Sequence, residues 1–232
     1  MGDKNYPAII LAGGLGTRLR SVINDLPKPM APVNGKPFLH YIFQYLKHEG
    51  ITNTILSVGY KHEAIKEFFS DEYAGIKIQY SVEEEPLGTG GGIKQAFDLV
   101  TGSAYVLNGD TFFGVNLRSL SDYYFESGSD IVLALKALQN FDRYGTVQLN
   151  AEKRITRFEE KKFVKEGLIN GGAYFFDKKL FSYIETETKF SFEKEVLEKH
   201  AADLKFSGKV FDGYFIDIGI PEDYNKAQHD FK

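Results

Sequence analysis

The run Ala8-Ile9-Ile10-Leu11-Ala12, followed at once by Gly13-Gly14-Leu15-Gly16-Thr17-Arg18-Leu19, is the most informative stretch of this chain. A continuous apolar run of this length is typical of a strand covered on both faces, as in a parallel sheet. Glycines directly after a buried strand let the backbone approach a phosphate and aim N–H groups at it. The stretch therefore predicts an α/β sheet whose first strand ends in a phosphate-binding loop.

This loop differs from two widespread phosphate loops. A dinucleotide-binding loop has a third glycine, in the pattern G-x-G-x-x-G, but here Arg18-Leu19 follows Gly14-Leu15-Gly16. A P-loop has G-K-[ST], which is absent. Arg18 adds a delocalised cation with a fixed fork of donors, which suits a polyphosphate. Lys28 then lies between Pro27 and Pro29, which stiffen the backbone and hold one ammonium near a fixed point.

Strand and helix patterns alternate through the first half of the chain. The predicted strands are Ala8–Ala12, Thr54–Val58, Ile76–Tyr80 and Ala104–Leu107, and the predicted helices are Pro37–Gly50, Glu63–Phe69 and Gly91–Leu99. Such alternation indicates βαβ units with right-handed crossovers. We expect an α/β fold with a doubly wound, mixed and mostly parallel, Rossmann-like sheet. Ligands of such sheets bind beyond the carboxyl ends of the strands.

After residue 128 the pattern shifts toward β structure. Strands are predicted over Asp130–Ala137, Gly145–Leu149, Arg154–Phe158, Gly171–Phe176, Gly208–Phe211 and Tyr214–Ile218, and helices over Lys178–Ile184, over Phe192–His200 and after Pro221. We find no linker, low-complexity tract or internal repeat between the halves. Residues 1–232 are therefore expected to form a single domain, in which the second half extends the same sheet.

Composition and charge exclude several classes of function. The chain has 232 residues, 43% hydrophobic and 26% charged, with a net charge of −4 that argues against nonspecific nucleic-acid binding. Because it has no cysteine, disulfides and thiolate zinc sites are excluded, and a metal must use oxygen or histidine ligands. There is neither a run of about 18 apolar residues nor an apolar leader, so we expect no membrane span and a cytoplasmic protein.

Two aspartates follow predicted strands in positions that suit a metal ion. Asp110 lies in Asn108-Gly109-Asp110-Thr111 after a central strand, and Asp217 lies among apolar and aromatic residues in Tyr214-Phe215-Ile216-Asp217-Ile218-Gly219. Taken alone, Asp110 also fits a helix cap and Asp217 a buried ion pair. Mg²⁺ in phosphate-transfer sites is typically held by one or two carboxylates, completed by substrate oxygens and water. The pair is therefore a candidate magnesium site.

The segment Gly13-Gly14-Leu15-Gly16-Thr17-Arg18-Leu19-Arg20, together with Pro27-Lys28-Pro29, resembles the N-terminal motif of the sugar-1-phosphate nucleotidylyltransferases. The resemblance extends from the first strand to the helix after Pro221. It implies a glycosyltransferase-A-type nucleotidyltransferase fold and Mg²⁺-dependent transfer of a nucleotidyl group from an NTP to a sugar 1-phosphate, with release of pyrophosphate. It also implies a nucleotide-binding half of about residues 1–128, a sugar-phosphate-binding half of about residues 129–232, and a role in supplying surface polysaccharide.

Matching positions carry the family's roles onto this chain. The resemblance assigns catalysis to Arg18 and Lys28, nucleotide binding to Leu11, Ala12, Gly13, Gly14, Gly16, Thr17, Gly88, Asn108 and Gly109, sugar-phosphate binding to Gly145, Glu160, Lys161, Asn170 and Gly171, and the metal ion to Asp110 and Asp217. Lys162 is an alternative to Lys161 as the phosphate contact. A solvated charge run is the other interpretation of this acid–base cluster.

The preference for one base is a separate hypothesis. Glu85 ends an acidic run before the second glycine segment, Gly88-Thr89-Gly90-Gly91-Gly92, and a carboxylate accepts from the N1–H and N2–H₂ donors of guanine. The compact chain resembles the guanylyltransferases that act on mannose-type and manno-heptose 1-phosphates, which implies GTP as donor and no β-helical extension. Other sugar 1-phosphates, UTP, dTTP, CTP, a phosphocholine acceptor, or a catalytically silent nucleotide-sugar sensor are the alternatives. Tyr123, Tyr124 and Phe125 offer a surface for a possible homodimer, or one face of a half-buried helix.

Overall fold

The structure, a computed structural model, describes residues 5–14 and 26–231 of the chain. The strands in chain order are β1 (Ala8–Leu11), β2 (Pro32–Val33), β3 (Lys36–Pro37), β4 (Asn53–Val58), β5 (Glu72–Tyr73), β6 (Ile76–Val82), β7 (Ser103–Asn108), β8 (Thr111–Phe113), β9 (Ile131–Phe141), β10 (Thr146–Leu149), β11 (Ile155–Glu159), β12 (Val164–Asp177), β13 (Phe206–Val210) and β14 (Phe215–Asp217). The α-helices are α1 (Phe38–His48), α2 (His62–Phe69), α3 (Gly88–Ala96), α4 (Leu117–Ser127) and α5 (Pro221–Asp230). Three 3₁₀ turns, Lys28–Met30, Phe97–Leu99 and Lys178–Ser182, and a π-helical segment, Phe192–Glu198, accompany them in the described ranges.

The central sheet has the strand order β11-β10-β12-β7-β1-β4-β6-β5, and β9 joins it beside β12. The strands β7, β1, β4 and β6 are mutually parallel, and the strand at the centre, β1, is the one that precedes the glycine loop. Strand β12 runs antiparallel to both β7 and β9, which ties the second half of the chain into the same sheet. The predicted mixed α/β sheet in a single domain is confirmed.

The helices cover the sheet with amphipathic faces. Helix α1 begins after Pro37 and buries Leu39, Ile42, Phe43 and Leu46 at the i, i+3, i+4, i+7 spacing of one helical face. Helix α4 begins at Asn116, whose side chain accepts a hydrogen bond from the Ser119 N–H, and ends at Gly128 with φ 59°. Within residues 5–14 and 26–231, none of the helices combines the length and apolar character that a membrane crossing needs.

The aromatic face of α4 is divided between core and surface. Tyr124 is 6% exposed, whereas Phe125 is 51% exposed and stacks on Tyr6 at a centroid distance of 6.0 Å. The interpretation of these rings as one side of a half-buried helix therefore fits the packing. A homodimer through this surface stays a prediction.

Three predicted helices differ from those observed. Helix α3 begins at Gly88 rather than Gly91, because the segment at Phe190 docks on its first turn: the Gly90 N–H donates to the Phe190 carbonyl at 3.0 Å. A Cβ on Gly91 would lie 2.5 Å from the Thr188 carbonyl oxygen. The predicted helix Lys178–Ile184 is a short 3₁₀ turn, and Phe192–His200 is a π-helix over Phe192–Glu198. Here contacts between distant segments outweigh local helix propensity.

Candidate active site

The described part of the glycine loop lies at the carboxyl end of β1, between β4 and β7. The Ala12 N–H donates to the Ser57 carbonyl at 2.7 Å, and the Gly109 N–H donates to the Leu11 carbonyl at 2.9 Å. A Cβ on Gly109 would lie 2.4 Å from the Leu11 oxygen, so only glycine fits this approach of two backbones. Leu11, Ala12, Gly13, Gly14, Asn108 and Gly109 are therefore brought together as predicted. Gly16, Thr17 and Arg18 lie outside the described residues.

Lys28 joins the two predicted metal-binding aspartates. Lys28 begins a 3₁₀ turn, lies between Pro27 and Pro29, and is only 8% exposed. The Lys28 Nζ lies 2.5 Å from Asp110 Oδ2 and 3.6 Å from Asp217 Oδ1. One ammonium thus lies close to two carboxylates that come from distant parts of the chain, and it offsets only one of their two negative charges.

The small sheet formed by β8 and β14 brings Asp110 and Asp217 together. Asp217 is the register partner of Thr111, and the Ile218 N–H donates to the Asp110 carbonyl at 3.0 Å. The Gly219 N–H donates to Asp217 Oδ1 at 2.7 Å. A Cβ on Gly219 would lie 2.8 Å from that oxygen and 3.0 Å from the Lys28 Nζ, so a larger residue here would displace the side chains of the pair.

The electrostatics of the pair favour an additional cation. Burial and the nearby Asp110 carboxylate raise the pKa of Asp217 above its usual range, while Lys28, the Gly219 N–H and Arg143 oppose that rise. The rise shows that the local cations compensate only part of the cost of ionising Asp217. Two carboxylates around one point are the hard oxygen donors that Mg²⁺ prefers, and substrate oxygens and water complete such a coordination shell. The residues present therefore fit a Mg²⁺ ion.

The predicted acceptor residues of β12 lie beside the end of β7. Ala173 is the register partner of Leu107, which places Gly172, the residue after Asn170 and Gly171, next to Asn108. A Cβ on Gly172, where φ is +72°, would lie 2.7 Å from the Asn108 Nδ2. The amide side chains of Asn108 and Asn170 thus border the same glycine turn, near Asp110.

The other predicted acceptor residues lie at the open end of the β10–β11 hairpin. A Cβ on Gly145 would lie 2.5 Å from the Glu159 carbonyl oxygen, which accounts for glycine there. Glu160 and Lys161 are exposed, whereas Lys162 forms an ion pair with Glu159 at 2.8 Å. Because that pair engages Lys162, the geometry leaves Lys161 as the better placed of the two for a phosphate.

A cleft of about 260 Å³ opens beside Asp217, between the β9–β10 connection and the start of α5. The Arg143 Nη1 lies 2.5 Å from Asp223 Oδ2 across this cleft, and the Tyr144 ring meets Phe215 edge-on at 5.8 Å. No sequence motif pointed to Arg143, apart from its place two residues before the predicted Gly145. The pair links the loop that carries Gly145 to the element that follows Asp217.

In the acidic run before α3, Glu83 is the glutamate that lies against the glycine loop. The role predicted for Glu85, accepting hydrogen bonds from guanine, stays a prediction. Glu85 is exposed, whereas the Glu83 carboxylate accepts the Leu87 N–H at 2.9 Å and the Ser57 hydroxyl at 3.2 Å. Glu83 Oε1 also lies 3.3 Å from the position of a Cβ on Gly13. Glu83 therefore links the glycine loop to the segment that begins α3 at Gly88. Glu83 directly follows β6, and its N–H donates to the Val58 carbonyl at 2.8 Å. This position could not be read from a run of three identical residues.

Replacing Glu83 is expected to weaken nucleotide binding. Glu83→Ala removes a carboxylate that accepts two hydrogen bonds, and bonds to charged groups contribute about 1.5–3 kcal/mol each. We expect the KM for the nucleotide to rise by about tenfold or more, while the KM for the acceptor changes little. Steady-state kinetics with both substrates varied measure this. Glu85→Ala is the matched control, and a larger KM increase in that variant would favour the prediction made from the sequence.

The chain is similar in sequence and in structure to known proteins. Residues 7–232 match the family model described as nucleotidyl transferase. The chain is 56% identical to D-glycero-alpha-D-manno-heptose 1-phosphate guanylyltransferase of Campylobacter jejuni over 94% of this chain and 96% of that protein. It is 52% identical to the enzyme of the same name from Aneurinibacillus thermoaerophilus, over 97% and 98% of the two chains. A crystal structure of HddC from Yersinia pseudotuberculosis complexed with GMP-PN superposes with a TM-score of 0.88 at 38% identity, covering 98% and 100% of the chains.

Proposed function

This chain belongs to the nucleotidyl transferase family, and from that premise we propose that it transfers the guanylyl group of GTP to D-glycero-α-D-manno-heptose 1-phosphate, with release of pyrophosphate. The proposed chemistry rests on one observation: Lys28 bridges Asp110 and Asp217 beside the glycine loop. The names of the two close relatives support the choice of donor and acceptor.

The reaction requires no nucleophilic side chain. A phosphate oxygen of the sugar 1-phosphate attacks the α-phosphorus of GTP, and a new phosphorus–oxygen bond forms. The bond from the α-phosphorus to the bridging oxygen breaks, and pyrophosphate leaves with that electron pair. The protein therefore contributes by placing two anionic substrates in line and by neutralising the charge they bring together.

Lys28 is the described residue best placed for this neutralisation. Its buried ammonium lies where the glycine loop and Asp110 meet, and its backbone is held between two prolines. Its role is to bind the α-phosphate and the attacking phosphate as negative charge builds between them. Arg18, outside the described residues, is proposed to bind the leaving pyrophosphate.

Asp110 and Asp217 are proposed to hold Mg²⁺ at the junction of the two substrates. When bound there, the ion would supply Lewis-acid neutralisation of the phosphate oxygens. Hydrogen bonds from the protein orient both carboxylates. The Gly219 N–H donates to Asp217 Oδ1, and the Thr111 hydroxyl donates to Asp110 Oδ1 at 3.1 Å. These contacts leave other carboxylate lone pairs for the cation.

The substrates are proposed to lie on different halves of the sheet. The nucleotide lies against the glycine loop and Glu83, within residues 1–128. The sugar phosphate lies against Gly145, Lys161, Asn170 and Gly171, within residues 129–232. We also propose that the enzyme acts in the cytoplasm, where its donor GTP is made.

An assay of pyrophosphate release tests this proposal. We expect release with GTP and the heptose 1-phosphate, much slower release with UTP, dTTP, CTP or ATP, and none without a divalent cation. Mannose 1-phosphate and glucose 1-phosphate serve as matched acceptors that lack the seventh carbon. Faster turnover with a hexose 1-phosphate or with another nucleotide would assign the enzyme to that substrate pair instead. A total lack of release with all pairs, together with tight binding of a nucleotide sugar, would indicate a silent sensor.

A further inference from the structure

The Asn170 side chain is held at both ends of its amide. The Gly172 N–H donates to Asn170 Oδ1 at 3.1 Å, and the Asn170 Nδ2 donates to the Tyr174 hydroxyl at 2.8 Å. Because a backbone N–H can only donate, the first contact fixes which end of the amide is oxygen and leaves the nitrogen facing Tyr174. The orientation of this amide is therefore determined by the protein before any substrate binds.

An irregularity in β12 makes this arrangement possible. Asn170 is the register partner of Leu135, and the next partnered residue, Tyr174, faces Leu133, so β12 carries extra residues between them. Such bulges re-aim side chains next to active sites. A Cβ on Gly171 would lie 2.3 Å from the Phe113 ring, and Gly172 has φ +72°, so both glycines are needed to form the bulge. The bulge brings the Asn170 amide within reach of the Tyr174 hydroxyl.

Tyr174 is a rigid partner for this amide. The residue is 1% exposed, and its ring packs edge-on against Phe192 at 5.4 Å. Burial raises the pKa of the Tyr174 phenol far above its ordinary value, so the hydroxyl is neutral at any working pH. Because the Tyr174 ring is buried and packed, its hydroxyl has a fixed position. The Asn170 amide that is hydrogen-bonded to this hydroxyl is therefore held in place as well.

Asn170 itself keeps hydrogen-bonding capacity for a ligand. Its side chain is only part-buried, and among residues 5–14 and 26–231 no partner takes the second Nδ2 hydrogen. That hydrogen and the second Oδ1 lone pair form a donor and an acceptor side by side. Paired donors and acceptors of this kind suit vicinal hydroxyls of a sugar.

We propose that Tyr174 is a positioning residue for the acceptor: its buried hydroxyl holds the Asn170 amide in the orientation that recognises sugar hydroxyls. This inference rests on the proposed function for the identity of the acceptor. Tyr174 does not touch the substrate and acts only through Asn170. No other described residue donates to or accepts from the Tyr174 hydroxyl, so the effect of removing it should be confined to Asn170.

Tyr174→Phe tests the inference by removing a single oxygen. We expect the KM for the sugar 1-phosphate to rise about tenfold, with the KM for GTP and kcat within about twofold of the wild type. Tyr105→Phe is the matched control, because Tyr105 is 4% exposed and its hydroxyl donates to Ser121 at 2.9 Å, its one hydrogen bond within the described residues. That variant should lose similar thermal stability without any change in the acceptor KM.

Two further measurements separate positioning from a general structural effect. In an Asn170→Ala background, Tyr174→Phe should have no additional effect on the acceptor KM. In wild-type protein, the two Asn170 side-chain N–H signals should differ in NMR chemical shift by more than those of an exposed asparagine, because one hydrogen is bonded to a buried hydroxyl. This difference should shrink in Tyr174→Phe and stay the same in Tyr105→Phe.

Specific outcomes would overturn the inference. These are an unchanged acceptor KM in Tyr174→Phe, an equal rise in the KM for GTP, an undiminished effect in the Asn170→Ala background, or unmoved Asn170 amide signals. Failure of the proposed function appears differently, as an absence of turnover with heptose 1-phosphate in the wild type. The NMR comparison does not depend on turnover, so it decides the positioning role in that event also.

Discussion

Lys28→Met is expected to lower kcat by about 10²–10³, the usual loss when one donor to developing charge in a transition state is removed. Lys28 is buried and lies 2.5 Å from Asp110 Oδ2, so no other described cation stands so close to the junction of the two substrates. Methionine keeps most of the volume and apolar length of the side chain. A loss of rate with normal folding would therefore report the charge. Single-turnover measurement of pyrophosphate release separates this step from product release.

The same variant is expected to bind a divalent cation more tightly. In the proposed metal site, the Lys28 ammonium would compete with a cation for the oxygens of Asp110 and Asp217, which lie 2.5 and 3.6 Å from Nζ. Opposite charges at such distances in a partly buried site attract by several kcal/mol, so removing the ammonium strengthens the field on the cation. We expect the affinity for Mn²⁺ without nucleotide, measured by titration calorimetry, to rise about tenfold.

Lys36→Met is the control for both effects. Lys36 is an exposed lysine on β3, close in sequence to Lys28, and the ion pairs found for Asp110 and Asp217 among the described residues involve Lys28 instead. Its replacement removes the same formal charge, but kcat and the Mn²⁺ affinity should stay within twofold. Near-normal kcat in Lys28→Met would refute the catalytic assignment, and unchanged Mn²⁺ affinity would refute the competition.

Asp217→Asn is expected to reduce kcat by about 10³ or more, because one of two carboxylates that would hold the cation becomes a neutral amide. Asparagine keeps the size of the side chain and an oxygen for the Gly219 N–H at 2.7 Å. The loss should be only partly restored by high Mg²⁺ concentration. Initial rates across a Mg²⁺ titration measure both the maximal rate and the metal requirement.

The stability of Asp217→Asn should move in the opposite direction from its activity. Burial and Asp110 raise the pKa of Asp217 in the folded protein. Because the unfolded chain ionises this carboxyl at lower pH, the ionised form costs folded-state stability above the folded pKa, and protonation at acid pH removes that cost. Without metal, we expect the Tm of Asp217→Asn at pH 7 to equal or exceed that of the wild type. The difference should shrink toward about pH 3, where the carboxyl is protonated in both states.

Asp212→Asn provides the comparison, because Asp212 is an exposed carboxylate just before β14. We expect neither its rate nor its Tm to change noticeably. A normal Mg²⁺ requirement in Asp217→Asn would show that Asp217 does not bind the metal ion. A clearly lowered Tm at pH 7 would assign the residue a structural ion pair with Lys28 instead.

The first half of the fold could be predicted closely because its signals are local. The apolar run Ala8–Ala12 and the glycines after it are sufficient to indicate a buried strand with a phosphate loop, and β1 is observed at Ala8–Leu11. Strand and helix periodicities placed the parallel strands and α1 within a few residues of their observed bounds. Periodicity depends on which face of an element is buried, and that information is carried by neighbouring residues.

Elements shaped by distant contacts were less predictable. Helix α3 begins in a glycine run that has low helix propensity, and its course depends on the carbonyl groups of Thr188 and Phe190. The run therefore allows a neighbouring segment to dock closely on this helix. The choice between Glu83 and Glu85 likewise depends on which carboxylate reaches the Leu87 N–H.

The sequence by itself determined the types of residue at this site: a glycine loop, one lysine between prolines, two lone aspartates and an N-x-G segment. Only the tertiary structure decided their relations. The pairing of β8 with β14 brings Asp110 and Asp217 together around Lys28. A bulge in β12 lets the buried Tyr174 hydroxyl accept a hydrogen bond from Asn170. The physical reason is that periodicity and turn chemistry act over a few neighbouring residues, whereas ion pairs and buried hydrogen bonds join residues that meet only when the sheet is assembled.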